Sequence, residues 1–299
     1  MGSGQRPTPT TLVDNIYFPE GPRWRVGADG VGKLWFSDVL AGEVMAVDLH
    51  GNLEKVAEVP EWPSGLGWRP DGTLLVVSIR DGKLLTVGDG GSLSPAGDMK
   101  ALDGFSSNDM VVDAQGRAFI GSFQELDEMR HPGPGNMPAF SHIIRVDPDG
   151  SANIVADRMT FPNGSVISPD GKTYIVAETF ANRLTAFDIE ADGSFTNRRV
   201  WADLGAPPDG ITMDVDGCLW VAVPYYIYGG PGGFVRVREG GEIVDRIDVD
   251  GVASYACALG GPEMTTLFLC QSTILGVERQ PGDGRIMTVE VDVPGTGTP

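Results

Sequence analysis

The sequence is poor in the residues and patterns on which many familiar sites are built. Only three of its 299 residues are cysteine, and no Cys-x-x-Cys pair occurs, which argues against a disulfide framework or a thiolate metal site. The three histidines, His50, His131 and His142, show no metal-ligand or catalytic-triad spacing. A G-x-S-x-G elbow, a phosphate-binding loop and a dinucleotide fingerprint are also missing. Any chemistry must therefore rest on other side chains.

Positive charge and long apolar runs are scarce as well. Twenty-two Lys and Arg residues face 41 Asp and Glu residues, for a formal charge of −19, so a phosphate backbone would be repelled. No apolar run approaches the roughly 18 residues that span a bilayer. The beginning of the sequence lacks a basic-then-apolar signal pattern. We therefore expect a cytoplasmic protein that binds neither nucleic acid nor a membrane.

What the chain does contain is an internal repeat. Each unit is a short apolar strand, a turn ending in Gly, and a second strand rich in β-branched and aromatic residues. Four units are clear: G-L-G-W-R-P-D-G-T-L-L-V-V-S, D-M-V-V-D-A-Q-G-R-A-F-I-G-S, G-S-V-I-S-P-D-G-K-T-Y-I-V-A and G-I-T-M-D-V-D-G-C-L-W-V-A. Degenerate copies begin at Glu20 and Tyr255. The turn glycines are Gly32, Gly72, Gly116, Gly171, Gly217 and Gly261, spaced 40 to 55 residues apart.

A second hairpin follows each copy, so each repeat supplies four strands. Six such units predict an all-β fold, a six-bladed β-propeller with four antiparallel strands per blade. A two-sheet sandwich is the alternative, but it would not need six copies of one unit. We expect a single domain over residues 12–295, preceded by a flexible tail over residues 1–11. The short, acidic edge strands favour a monomer or a small homo-oligomer.

A polar residue stands at the same place in five of the six repeats, just before the inner strand. The frames read F-P-E-G-P, W-P-S-G-L, S-S-N-D-M, F-P-N-G-S and P-P-D-G-I. Their polar residues are Glu20, Ser64, Asn108 with Asp109, Asn163 and Asp209. In a propeller the loops that lead into the inner strands share one mouth, so these side chains should converge. In the frames of Glu20, Asn163 and Asp209, the proline and the glycine restrict how the backbone presents the side chain.

Converging carboxylates and amides, without His or Cys, form an all-oxygen donor set. Ca²⁺, Mg²⁺ and Mn²⁺ prefer such donors, with water filling the remaining positions. An ordinary turn residue would explain any one of these positions. Five polar residues in one register, three of which place Glu, Asn or Asp between a proline and a glycine, favour a shared cation site instead.

Two further stretches could line the same mouth and contact a substrate. The first, E-M-R-H-P-G-P-G-N-M-P-A-F, contains His131 and accounts for the longest spacing between turn glycines. A long loop on a repeat scaffold is often functional, although an ordinary surface loop is equally compatible with the sequence. The second, P-Y-Y-I-Y-G-G-P-G-G-F, follows a pair of inner strands and presents Tyr225 and Tyr228.

The motifs F-P-E-G-P-R-W, S-N-D-M-V-V-D-A-Q-G-R-A-F-I-G-S, F-P-N-G-S-V-I-S-P-D-G-K-T and D-G-I-T-M-D-V-D-G-C-L-W-V-A occur in this order at propeller spacing. In them the chain resembles the SMP-30/gluconolactonase/luciferin-regenerating-enzyme-like family, over about residues 12–290. The resemblance implies a six-bladed propeller with one divalent metal in its mouth, usually Ca²⁺ and sometimes Zn²⁺, Mn²⁺ or Mg²⁺. It implies Glu20, Asn163 and Asp209 as metal ligands, Asn108 as a further ligand or substrate contact, and Asp209 as the general base.

The chain also departs from that family's pattern. Where the sugar lactonases carry an Arg that binds the substrate, this sequence has Ser106. Gln124 and Glu125 match only loosely the acidic residues that follow the corresponding strand, and Glu178 replaces the family's usual Asp. We expect a substrate less polar than a sugar-acid lactone, with Asp109, Ser106 and Gln124 among its contacts.

The family members are chiefly lactone hydrolases, so the resemblance implies an enzyme with a small-molecule substrate. The implied reaction is metal-assisted hydrolysis of a lactone or a related ester. Asp209 would take the proton of the attacking water, unless the cation acidifies that water and Asp209 or Asp109 only orients it. The alternatives are a phosphotriesterase, a metal-assisted lyase or isomerase on the same scaffold, and a non-catalytic binding propeller.

Overall fold

The computed structural model describes residues 8–124, 140–225, 231–249, 251–273 and 280–297. Six four-stranded antiparallel sheets form the blades of a β-propeller, as the repeat predicts. The described helical segments are a short α-helix, α1, over Lys100–Asp103, and two 3-10 turns over Asp89–Gly91 and Thr179–Ala181. No helix in these residues is long and apolar enough to cross a membrane.

The first three blades follow one another along the chain, each running from its inner to its outer strand. Blade 1 consists of β2 (Pro19–Val26), β3 (Gly32–Asp38), β4 (Glu43–Val47) and β5 (Leu53–Glu58). Blade 2 consists of β6 (Pro63–Trp68), β7 (Leu74–Ser78), β8 (Lys83–Val87) and β9 (Leu93–Asp98). Blade 3 consists of β10 (Ser106–Val112), β11 (Ala118–Phe123), β12 (Ser141–Val146) and β13 (Ala152–Met159).

The remaining blades keep the same order, except that the last one borrows a strand from the other end of the chain. Blade 4 consists of β14 (Pro162–Ile167), β15 (Thr173–Glu178), β16 (Arg183–Ile189) and β17 (Phe195–Asp203). Blade 5 consists of β18 (Ile211–Met213), β19 (Leu219–Tyr225), β20 (Pro231–Val237) and β21 (Ile243–Asp248). Blade 6 consists of β22 (Ala253–Gly260), β23 (Thr266–Ser272), β24 (Gly284–Glu290) and β1 (Thr10–Ile16).

The ring of blades closes where β1 pairs with β24. Thr10 lies opposite Thr288, and Ile16 lies opposite Gly284. Strand β1 begins slightly before residue 12, the domain boundary expected from the sequence. The repeat pattern did not predict this closure, because the partner strands lie at opposite ends of the chain. The seam gives blade 6 its fourth strand and covers the edge that β24 would otherwise expose.

The hairpin turns between the first two strands of the blades depend on glycine. Five of the six glycines assigned to these turns from the sequence have a positive φ, and Gly32 is the exception. In blade 1 the positive φ, +78°, belongs to Gly30. Gly32 instead begins β3, where an added Cβ would lie 2.1 Å from the ring of Trp24. Its role is therefore close packing rather than a turn.

The hydrophobic core lies between neighbouring sheets. One cluster joins blades 4 and 5 through residues such as Val166, Ile175 and Leu219. Another joins blades 6 and 1, where the Trp24 and Phe268 rings stack with centroids 5.5 Å apart. Because each blade buries both faces against its neighbours, the inner edges of the sheets are left to face the axis. The polar residues on those edges form the site described next.

Candidate functional site

The inner strands of the blades are interrupted at the place where the sequence predicts converging polar side chains. We call these side chains the polar ring: Glu20, Ser64, Asn108, Asp109, Asn163 and Asp209. The β-ladder is irregular between Glu20 and Arg23, between Ser107 and Met110, and between Pro162 and Ser165. The same interruption occurs in blades 2 and 6. A bulge places extra residues of one strand opposite its partner and re-aims their side chains. Asp209 lies ahead of β18, as the sequence predicts, whereas the other polar residues lie within irregular strand starts: Glu20, Ser64, Asn108, Asp109 and Asn163.

Backbone-to-backbone contact brings these strand starts close together. An added Cβ on Gly164 of blade 4 would lie 2.5 Å from the Cα of Gly210 in blade 5. An added Cβ on Gly210 would lie 2.6 Å from the Cα of Ala256 in blade 6. The Gly210 N–H also donates to the Tyr255 carbonyl at 2.7 Å, across the same boundary. The glycine that follows the polar residue is therefore what lets adjacent blades approach at this level.

Asn163 and Asp209 are neighbours on blades 4 and 5, and both are buried, with 6% and 7% of their surface exposed. The Asn163 amide donates to Thr179 Oγ1 at 3.2 Å, and Thr179 donates to the Pro208 carbonyl at 2.9 Å. Burial raises the pKa of Asp209 well above its usual value, and the negative charge of Asp109 raises it further, against a hydrogen bond from Asn163. The charge of Asp109 and the amide of Asn163 therefore both affect the protonation of Asp209.

Blade 3 contributes two adjacent residues to the ring. Asp109 is 3% exposed, and its Oδ1 would lie 3.4 Å from a Cβ added to Gly21 of blade 1. Burial raises the pKa of Asp109, against the positive charge of Arg23. Asn108 is half-buried, and its Oδ1 accepts a hydrogen bond from the Ser64 hydroxyl of blade 2 at 3.3 Å. Blades 1, 2 and 3 therefore meet at this level, as blades 4, 5 and 6 do.

Charged residues of the ring affect the pKa of two buried thiols, those of Cys257 and Cys270. Burial raises the pKa of Cys270, and the negative charges of Glu20 and Asp109 raise it further. Burial also raises the pKa of Cys257, which is raised further by Asp209 and lowered by the positive charge of Arg23. Elevated pKa values keep both thiols protonated, so neither is a nucleophile at neutral pH. Both are free and buried, and they fill space next to the ring.

The sixth blade contributes a residue that sequence reasoning missed. Ser254 in β22 takes the place that Ser64 has in blade 2, and it is fully buried. Its hydroxyl has no hydrogen-bond partner among the residues that the structure describes. The Pro-polar-Gly frame is absent there, since the sequence reads A-S-Y-A. Aligning β22 with the other inner strands by strand position, rather than by motif, would have found it.

Two carboxylates support the chain segments that lead into the ring. The Asp38 carboxylate accepts the Phe18 N–H at 2.8 Å, and the Glu178 carboxylate accepts the Thr160 N–H at 2.9 Å. Glu178 is fully buried and pairs with Arg183 at 2.8 Å. The resemblance flagged Glu178 as the counterpart of a family Asp, and here it is a positioning residue for the Phe-Pro-Asn segment. Burial raises its pKa, but hydrogen bonds from Thr185, Thr160 and Arg183 outweigh that and lower it overall.

The residues suggested as substrate contacts have different outcomes. Ser106 is buried in β10 opposite Phe123, and Gln124 directly follows β11. His131 and Tyr228 lie outside the described residues, and for Tyr225 only the backbone is described. Their assignment as substrate contacts stays a prediction.

Apolar side chains from blades 1 to 4 form a cluster on the mouth side of the ring, which we call the apolar collar. Three of them precede the proline of a ring frame and the others lie at or just after the ends of second strands: Phe18, Trp62, Phe161, Val39, Leu40, Ile79 and Phe123. Inner strands begin and second strands end at one end of a blade, so the collar lies at the end that carries the ring. Trp62 and Phe161 adopt φ values of +71° and +56°, a costly conformation for an aromatic residue.

The ring has donor atoms that suit a cation, but they do not come from acidic residues alone. Within the described ranges, no three His, Cys, Asp or Glu side chains gather as a metal cluster. The donors that do meet are carboxylates mixed with amides. Asp109 Oδ1 and Asp209 Oδ1 are buried and have no hydrogen-bond partner among the described residues. Burying a charged oxygen without a partner is costly, so these atoms fit a cation that completes their coordination.

Comparison with known proteins agrees with the architecture. The family model for the SMP-30/Gluconolactonase/LRE-like region matches residues 18–273. The 6-deoxy-6-sulfogluconolactonase of Pseudomonas putida is 25% identical over 293 residues, covering 94% of this chain and 93% of its own. The diisopropyl-fluorophosphatase of Loligo vulgaris is 28% identical over 257 residues, covering 77% and 80%. The structure of a calcium-binding protein, regucalcin, from Agrobacterium tumefaciens superposes with a TM-score of 0.79 at 23% identity, covering 98% and 97%.

Proposed function

Because the chain belongs to the SMP-30/gluconolactonase/LRE-like family, we propose that it is a hydrolase that opens a lactone, or a related ester, at one divalent cation in the mouth of the propeller. The observation that carries the proposal is the pair Asp109 and Asp209, buried on different blades with an unpartnered oxygen on each. Lactonases among the relatives support the reaction class.

We assign Glu20, Asn163 and Asp209 as the residues that would hold the cation, with Asn108 as a further ligand or a substrate contact. All their donor atoms are oxygens, which suits Ca²⁺ best and also accommodates Mg²⁺, Mn²⁺ or Zn²⁺. When bound, such a cation would polarise the lactone carbonyl and stabilise the negative charge that develops on its oxygen.

The chain's own residues would handle the proton. Asp209 accepts a proton from the attacking water as the water oxygen bonds to the carbonyl carbon. The proton then passes to the ester oxygen of the lactone when the bond between that oxygen and the carbonyl carbon breaks, giving a hydroxy acid. Burial and the negative charge of Asp109 raise the pKa of Asp209 in the absence of the cation, and the positive charge of a bound cation would lower it again. Asn163, held by Thr179, keeps the Asp209 carboxylate in place.

The apolar collar supports a substrate with an apolar substituent. Phe18, Trp62 and Phe161 are partly exposed, so they offer ring surface at the mouth, and Ser106 cannot supply the positive charge of an arginine. Burying apolar surface contributes roughly 25 cal/mol per Å². We therefore propose alkyl- or acyl-substituted lactones as better substrates than sugar-acid lactones.

A panel of lactones, assayed after chelation and after metal add-back, tests the proposal. Activity should disappear with EDTA and return with Ca²⁺, and Asn163→Ala and Asp209→Asn should each lower kcat/KM at least a hundredfold. Asp170→Asn is the matched control, because its carboxylate lies at the far end of the same blade hairpin and bonds only to the turn around it. Hydrolysis that survives chelation, or that survives both ring substitutions, would refute the proposal.

A phosphotriesterase is the second candidate, favoured by the identity to the Loligo vulgaris diisopropyl-fluorophosphatase. The same cation site would then polarise a phosphoryl oxygen instead of a carbonyl oxygen. Parallel assays with a fluorophosphate and with the lactone panel separate the two. A kcat/KM for the fluorophosphate above that for every lactone would favour the phosphotriesterase.

A further inference from the structure

One buried charge near the ring has no part in the reaction described above. Arg23 lies on β2, three residues after Glu20, and only 8% of its surface is exposed. Its Nη2 donates to the Met110 carbonyl of blade 3 at 2.5 Å, and its Nη1 donates to the Pro22 carbonyl at 2.9 Å. Its Nε is buried and has no hydrogen-bond partner in the described part of the chain. Burying an arginine is expensive unless negative charge compensates for it.

The compensating charge is that of the ring. The Arg23 guanidinium on β2 donates to the Met110 carbonyl on β10, and Asp109 is the residue before Met110. The guanidinium and the Asp109 carboxylate therefore belong to two neighbouring inner strands. Asp109 Oδ1 also lies close to Gly21, two residues before Arg23. Within the described chain the two groups do not form a direct ion pair, and each keeps an unpartnered polar atom. Arg23 therefore acts on the site through its charge rather than through a hydrogen bond to a ring oxygen.

The charges of this group suggest what Arg23 does. The ring carries the carboxylates of Glu20, Asp109 and Asp209, and Arg23 supplies one positive charge. Ionised, these four groups have a net charge of −2, which one divalent cation neutralises. Without the guanidinium the net charge would be −3, which suits a trivalent cation better. We propose that Arg23 is a built-in counter-charge that makes the cation site selective for divalent over trivalent ions, an inference that rests on the proposed function.

Cation titration tests this inference with a readout other than turnover. The chelated full-length protein is titrated at one fixed pH with Ca²⁺ by calorimetry and with Tb³⁺ by luminescence. In Arg23→Met the affinity should rise about tenfold for Ca²⁺ and about thirtyfold for Tb³⁺, because repulsion between the guanidinium and the ion scales with the charge of the ion. Arg23→Lys keeps the charge and should stay within about threefold of wild type for both ions.

The matched control is Arg25→Met on the same strand, since the Arg25 guanidinium stacks on Trp68 away from the ring. It should change neither affinity. Should Arg23→Met fail to fold, Asp109→Asn gives the opposite test: removing a negative charge should lower Ca²⁺ affinity about tenfold and Tb³⁺ affinity about thirtyfold.

Four outcomes would overturn the inference. In the first, Arg23→Met binds both ions like wild type while its melting temperature falls, which makes Arg23 a structural filler. In the second, both affinities fall, which makes it a support for Asp109 alone. A wild-type protein that binds no divalent cation contradicts the proposed function as well. Cation binding with an unchanged Tb³⁺-to-Ca²⁺ ratio in the Arg23→Met and Asp109→Asn variants contradicts only this inference.

Discussion

The contact between Gly164 and Gly210 gives the sharpest test of how the ring is assembled. In Gly164→Ala the new Cβ would lie 2.5 Å from the Cα of Gly210 and 2.6 Å from the N of Ile211. Nonbonded carbons prefer about 3.5–4.0 Å, so the inner strands of blades 4 and 5 must move apart by about 1 Å. Both obstructing atoms belong to the backbone, so no side-chain rotation can relieve the clash. Overpacking of this kind typically costs about 1–3 kcal/mol, and we expect about 3 kcal/mol here.

The same displacement has a functional consequence, because Asn163 and Asp209 directly precede the two glycines. We expect Gly164→Ala to weaken Ca²⁺ binding at least tenfold. Gly171→Ala is the control: it lies in the turn of the same hairpin at φ +72°, with nothing within 4 Å of its added Cβ. It should cost about 1–2 kcal/mol of backbone strain and leave cation affinity unchanged.

Urea unfolding and calorimetric Ca²⁺ titration on the two variants make the comparison. Stability within about 0.5 kcal/mol of wild type for Gly164→Ala would refute the close approach of the two strands. Weakened stability with unaltered affinity would instead refute the claim that this contact positions the ring donors.

Three further predictions follow from individual side chains. Glu178→Gln should cost about 1–3 kcal/mol, since it removes the charge of a fully buried carboxylate that pairs with the half-buried Arg183. Because the folded pKa of Glu178 is lowered from 4.5, the loss should be full above about pH 4.5 and shrink as the pH falls, and a loss independent of pH would contradict this. Trp62→Ala should lower kcat/KM for long-chain alkyl lactones at least fivefold more than for unsubstituted ones; equal effects on both would remove the apolar collar from substrate recognition. Ile16→Ala in the buried seam strand β1 should cost about 2–5 kcal/mol in thermal unfolding, and wild-type stability would contradict the seam.

The fold could be predicted from the sequence because the same strand-turn-strand pattern occurs six times. Apolar strands and glycine-containing turns recur every 40 to 55 residues, a spacing that fits successive four-stranded blades of a propeller. The seam between β1 and β24 could not be predicted in this way. Its partners come from opposite ends of the chain, and β1 alone, T-T-L-V-D-N-I, is too short to identify which edge it joins. Gly30 and Gly32 show a similar limit, because the contact with Trp24 is not visible in a linear pattern.

The ring was predictable where a local frame repeated and was missed where it did not. Asn163 and Asp209 share the Pro-polar-Gly frame, so their equivalence could be read directly. Ser254 lacks that frame, and only the register of β22 against β23 shows its place. Arg23 was visible in F-P-E-G-P-R-W, but its burial beside the ring depends on the bulge in β2 and on the approach of blade 3. Such properties arise from packing between blades, which no single repeat encodes.

The most direct test of the account is calorimetric Ca²⁺ titration of the chelated protein, wild type against Asn163→Ala and Asp209→Asn, with Asp170→Asn as the control. Wild type and the control should each bind one Ca²⁺ per chain. Either ring substitution should reduce the Ca²⁺ affinity at least a hundredfold, with melting temperatures showing that both variants remain folded. Wild-type Ca²⁺ affinity in both ring variants would show that these side chains do not hold the cation.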